Sequence, residues 1–153
     1  MVKVRKLTTN RKEVRHEVCD ILKGKTGAGD RVFPNKVAPV GQEELPQILI
    51  YPAEGDTTML DSSRVPNARK RFDLFLTIEV ITDEGHEGTD LNDKLDDLSF
   101  EVEKIIEQSD NLNKLVHDIG LSGFKCEYFS DGSKPWATCK SLFNVTYIKI
   151  KGE

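Results

Sequence analysis

Few residues in this chain have types and spacing that suggest chemistry. Gly24-Lys25-Thr26 has the ending of a phosphate-binding loop. That loop needs a glycine five positions earlier, where Cys19 stands, and it opens a helix after a strand. Here the tripeptide closes a helical pattern, so it reads as a helix-terminating loop. Gly27-Ala28-Gly29 lacks the third glycine of a dinucleotide fingerprint, because Val32 holds that position. His16, His86 and His117 fall on two helical stretches and a loop, and local spacing supplies no nucleophile or carboxylate to any of them. His117, near an expected helix end, suits the helix dipole.

Asp83, Glu84, Glu87, Asp90, Asp93, Asp96 and Asp97 form an acidic run that a hard divalent cation would tolerate. It does not fit a calcium loop: Gly85 stands at a ligand position and the loop glycine is misplaced. The main reading is a solvated helix face with a favourable N-terminus. A loosely bound Mg²⁺ at a subunit interface is the minority reading, and no resident cofactor is expected. Cys19, Cys126 and Cys139 have no metal-ligand spacing and read as free thiols of a reducing compartment. Cys126 and Cys139 are expected to face each other across the last two strands. Asn144-Val145-Thr146 matches a glycosylation acceptor but lies in a strand pattern of a chain with no secretory signal. No catalytic residue emerges, and an enzyme is not expected.

The 153 residues suit one domain, 1–153, able to bury a core without staples. With 37% hydrophobic and 31% charged residues the chain is lean but globular. Apolar runs are too short for a membrane helix. Met1–Lys12 carries five Lys/Arg with no apolar stretch behind them, which argues against a secretory signal. A net charge of −4 argues against a dedicated or sequence-specific nucleic-acid binder.

The elements follow from periodicity. Asn10 and Glu13 form a capping box, and Val14, Val18, Ile21 and Leu22 make one apolar stripe, predicting a helix over 10–23. Arg31–Phe33 and Lys36–Val40 suggest a small hairpin, inside a Gly/Pro-punctuated loop over about 24–46. Gln47–Tyr51 reads as a strand buried on both faces and ended by Pro52. Residues 52–71 show no usable periodicity and read as a second long loop with a basic end: Arg64, Arg69, Lys70 and Arg71. Phe72–Ile81 is the clearest strand. Thr89 is the expected cap of a long helix to Gln108, with Asp90 and Asp93 in its first turn. A shorter helix carries Leu112, Leu115, Val116 and Ile119 and closes at Gly120. Leu121–Phe129 and Trp136–Ile150 are strands, with a bulge or a change of burial near Tyr147. The order α, β, β, α, α, β, β predicts an α+β fold: a mixed, mainly antiparallel sheet with two main helices and one short helix on one face.

From Glu13 to Ile150 the chain resembles the minor tail protein U family of phage lambda, the tail terminators of long-tailed phages and prophages. The resemblance rests on the first helix, Arg31-Val32-Phe33, Leu45–Tyr51, Leu74–Val80 and the Thr89–Ile106 helix. Its most specific part is Gly123–Tyr128, an acidic turn at Asp131, Trp136-Ala137 and Leu142–Tyr147. The chain departs from the family in longer stretches at 33–44 and 52–71.

The resemblance implies a structural role: a ring, generally a hexamer, on the head-proximal end of the tail tube. Such a ring stops tube polymerisation and offers a head-joining surface. Implied partners are further copies of the chain, the tube protein and a head or neck completion protein, with no membrane. Assembly would take place in the bacterial cytoplasm, with the product in the virion tail. The basic end of 52–71 (Arg64, Arg69, Lys70, Arg71) and the acidic segment (Asp90, Asp93) are complementary in sign and form the candidate subunit or tube contact. A neck ring is the alternative within this setting. A small cytoplasmic metal enzyme using residues 83–97 is the alternative outside it.

Overall fold

Asn10 starts the first helix, α1 (Arg11–Leu22), its side chain accepting from the Glu13 backbone N–H at 2.9 Å. The return contact of this capping box runs between side chains, Asn10 Nδ2 donating to Glu13 Oε1 at 3.1 Å. Among the described residues five strands and two further helices follow: β1 (Val32–Phe33), β2 (Gln47–Met59), β3 (Arg69–Asp83), α2 (Leu91–Gln108), α3 (Asp110–Leu115), β4 (Asp118–Phe129) and β5 (Trp136–Ile150). This computed structural model describes residues 8–84, 90–130 and 134–151. His86, Glu87, Thr89 and Asp131 lie outside them.

The sheet order is β1-β2-β3-β5-β4, antiparallel throughout except for the parallel β1–β2 pair. The fold is therefore α+β with a mixed sheet. In register, Ile48, Val80, Cys139 and Cys126 form one cross-strand row, and Leu76, Phe143 and Leu121 another. Side chains alternate across a strand, so these rows share one face. That face holds Ile50, Leu74, Ile78, Val145 and Tyr147 as well, and the helices cover it with Val14, Val18, Leu22, Leu95, Leu98, Val102, Ile106 and Leu112. Phe72 stacks on Tyr147 at 5.1 Å between ring centres.

Four expectations need correction. Arg31–Phe33 and Lys36–Val40 form no hairpin: β1 pairs with β2 in parallel, and Lys36–Val40 is not strand. Pro52 does not end the strand. It sits at a register shift between Pro52 and Glu54, and β2 runs on to Met59. Proline has no N–H to give to a ladder, and a bulge absorbs that loss. The expected long loop at 52–71 is accordingly a β-hairpin, with only 60–68 as its turn. Finally, α3 ends at Leu115, capped by Val116, and Ile119 and Gly120 belong to β4. His117 thus lies beyond the helix and donates its backbone N–H to Thr146 O at 2.8 Å.

The cap of α2 is Asp90, whose carboxylate accepts from Asn92 N at 2.8 Å and Asp93 N at 3.4 Å. No bulge interrupts β5 near Tyr147, because its pairing with β3 is continuous from Asp83↔Trp136 to Arg69↔Ile150. Burial changes there instead: Tyr147 is buried and Ile148–Ile150 are half-buried.

Candidate functional site

The β2–β3 hairpin places the four basic residues singled out by sequence at one end of the sheet. Arg69 is held by Asp61 across the turn, Nε to Oδ2 at 2.9 Å and Nη2 to Oδ1 at 3.2 Å, and its backbone N–H donates to the same carboxylate. A planar guanidinium matches a carboxylate in this two-pronged way. These hydrogen bonds hold the Asp61 carboxyl below its ordinary pKa and raise that of Arg69. Arg71 turns to Asp73 at 3.1 Å. Asp73 also accepts from Thr146 Oγ1 at 2.8 Å, the main reason its carboxyl is lowered. Arg69 and Arg71 therefore already have partners in their own chain. Arg64 is exposed in the turn, and Lys70 lies half-buried opposite Met59. Met59, Leu60 and Val65 add exposed apolar surface to this tip.

Asp90 and Asp93 stand at the other end. Asp90 serves as a helix cap, and Asp93 is exposed in the first turn of α2. Arg69 and Asp83 terminate the same 15-residue strand. At about 3.3 Å per residue, their Cα atoms are about 45 Å apart. Within one chain the basic and acidic segments do not meet. Among the described residues no group of three or more His, Cys, Asp or Glu side chains is placed to hold a metal ion.

A cleft of about 900 Å³ is lined by Arg15 of α1 together with Lys36, Tyr51, Thr77, Lys125 and Lys140. The Tyr51 hydroxyl donates to Glu79 Oε1 at 2.7 Å, and Lys36 lies 5.7 Å from the Tyr51 ring centre. Burial, then the Glu79 contact, keeps the Tyr51 phenol protonated well past its ordinary range. Lys125 and Lys140 flank Glu127 at 3.6 and 3.9 Å. These contacts interlock the polar groups in and beside the cleft, Tyr51 with Glu79 and Glu127 with both lysines.

Sequence reasoning missed the outer edge of the sheet. Strand β4 carries exposed Leu121, Phe124, Tyr128 and Phe129 along an edge with no backbone partner among the described residues. The alternation of β4 was visible, but its edge position depends on strand order, which periodicity does not encode.

No helix is long and apolar enough to cross a membrane among the described residues. No curated protein matches the chain. Among protein families, the one described as phage minor tail protein U matches residues 9–147, from the Asn10 cap through Tyr147 on the last strand. A sheet whose marked surfaces lie at its ends and edge, with that match over nearly all its length, belongs to the phage minor tail protein U family, a structural component of the phage tail.

Proposed function

We propose that this protein closes into a ring, a hexamer in keeping with the resemblance, that caps the head-proximal end of the tail tube. The ring stops tube polymerisation and presents the surface to which the head or neck joins. The observation that carries this reading, within the family, is the two-ended layout of the chain. The basic, partly apolar hairpin tip with Arg64 and Lys70 stands at one end of β3, and the acidic start of α2 with Asp93 at the other. A subunit built this way can meet one partner at each face of a ring. A head-to-tail contact closes into such a ring when the rotation per subunit fits.

On this reading the hairpin tip contacts the tube and the acidic end faces the head or neck protein. Charge there sets orientation and partner choice more than affinity. Assembly takes place in the bacterial cytoplasm before the tail joins the head.

The test is tube growth in the presence of this protein. Purified tail tube protein is allowed to polymerise with and without it, and tube length and end structure are read by negative-stain microscopy. Tubes that stop short and carry a ring at one end support the reading. Tubes that grow unchanged overturn it, and a ring bound only to head-side proteins makes the protein a neck component. Light scattering with and without millimolar Mg²⁺ gives the ring size and tests the cation at the interface.

A further inference from the structure

Among the described residues the sheet is open at both edges. At one side β4 has no outer backbone partner among the described residues over its 12 positions. At the other, β1 covers β2 only at Ile48 and Leu49, leaving the outer side of Tyr51–Met59 without a backbone partner among those residues. An exposed edge is a row of unpaired N–H and C=O groups, and a long apolar one is a template for pairing. β4 is long and apolar, with Phe124 69% and Tyr128 56% exposed. Its bulge lies between Leu121 and Gly123, so Phe124–Phe129 is a regular ladder segment ready to accept another strand.

We infer that β4 of one copy pairs with the outer edge of β2, over Tyr51–Met59, of the next copy, so that the subunits of the ring share one continuous sheet. The inference rests on the ring reading above and names its interface.

Three features favour a second copy as the occupant. The first is strand sense. β2 and β5 run one way, and β3 and β4 the other. Rotation about a ring axis to which the strands are tilted, as in any closed sheet, preserves these senses. β4 therefore meets the neighbour's β2 antiparallel, the better hydrogen-bonding arrangement.

The second is closure. The two edges lie on opposite sides of the same sheet, so the contact is heterologous and repeats around a ring. The third is charge. Lys125 is in register with Lys140 and Glu79, Glu54 with Phe75, and Asp56 with Asp73. All three edge side chains thus project to the sheet face away from the helices. Across the sheet Lys125 is level with Leu49. Strands tilted about 40° stagger the joined edges by about five residues over the four strand spacings of one subunit, and Lys125 of one copy then stands beside Glu54 and Asp56 of the next, as cross-strand pairs do. Neither carboxylate has an ion pair among the described residues, and Lys125 has only its 3.6 Å contact with Glu127.

Carbodiimide coupling of the assembled protein tests this without mutation, because it joins a lysine to a carboxylate only in direct contact. Within one chain β4 and β2 are separated by three strand spacings, about 14 Å, so a Lys125–Glu54 or Lys125–Asp56 amide must bridge two copies. Mass spectrometry of the ring fraction should find that bridge, and the monomer fraction should lack it. The Lys125–Glu127 product within the chain is the internal control.

Rings that yield the control product but no bridge to Glu54 or Asp56 overturn the inference and leave the ring reading standing. A second variant, Phe124→Glu, changes a side chain that the core does not use. It should raise the protein concentration needed for assembly at least tenfold with an unchanged circular dichroism spectrum; assembly at the wild-type concentration overturns the inference. A wild type that forms no ring, free or on tube ends, overturns both readings together.

Discussion

Cys126 on β4 and Cys139 on β5 stand directly opposite each other in the antiparallel ladder, with their thiols in hydrogen-bond contact. Burial first, and the Cys139 thiol second, push the Cys126 thiol up to about 11. Only the thiolate is an effective nucleophile. Alkylation of Cys126 should therefore rise about tenfold per pH unit from pH 7 to 10 and keep rising toward 11, where an ordinary thiol of pKa near 8.5 has already levelled off. Iodoacetamide kinetics resolved by mass spectrometry read this profile. A plateau below pH 9.5 would contradict the pairing.

Gly55 on β2 sits where a Cβ would lie 2.8 Å from the Asp73 carbonyl oxygen and 3.3 Å from Leu74 Cα. Both obstacles are backbone of the neighbouring strand, which cannot swing aside as a side chain can. Gly55→Ala should therefore destabilise the protein by about 1–3 kcal/mol, the range for overpacking a tight site. Thermal or urea unfolding measures it, and a neutral substitution would mean that the hairpin strands are further apart than described.

The same hairpin shows where the sequence was hard to read. Residues 53–59 are exposed throughout, so no apolar alternation marks them as strand. Pro52 and Gly55 look like breakers, yet one sits at a bulge and the other fits a close approach of two backbones. Where apolar residues alternate with polar ones, as at Leu74, Leu76, Ile78 and Val80, or recur on one helix face, as at Val14, Val18 and Leu22, the pattern was legible and the elements form as expected. The facing cysteines were legible too, since a turn between two alternating strands sets their register. The basic and acidic clusters were visible as composition. That Arg69 and Arg71 are paired within the chain depends on Asp61 and Asp73 being folded against them.

Tyr51 and Glu79 form a cross-strand pair on the other face, at 2.7 Å. Glu79 is buried, so Tyr51→Phe removes its hydroxyl partner without changing the ring's shape. A loss of about 1–3 kcal/mol is expected from leaving a buried acceptor unpaired. The phenol pKa is raised in the folded state. Its contribution to stability is therefore complete below the unfolded phenol value near 10 and is lost as pH rises through the folded value. All three tyrosines are raised, Tyr51 most, so ultraviolet titration should show a last ionisation step in wild type that is missing in Tyr51→Phe.

Arg64 and Arg69 separate two roles of the hairpin tip. Arg69 closes the turn onto Asp61, so Arg69→Glu sets two carboxylates against each other and opens residues 60–68. Hydrogen exchange at that turn should accelerate and capping of tubes should fall with it. The Asp61 carboxyl is lowered chiefly by its Arg69 hydrogen bonds. The closure is accordingly present above the ordinary aspartate range and is lost as pH falls through the folded value. Arg64 has no carboxylate partner among the described residues and is exposed, so Arg64→Glu should leave turn exchange at the wild-type rate. If the tip meets the tube through charge, Arg64→Glu should still weaken capping, and more so at low salt, because exposed charges are screened within about 10 Å at 0.1 M. Capping that survives Arg64→Glu but not Arg69→Glu would assign the tip a role through its shape, with Met59, Leu60 and Val65 as the contact.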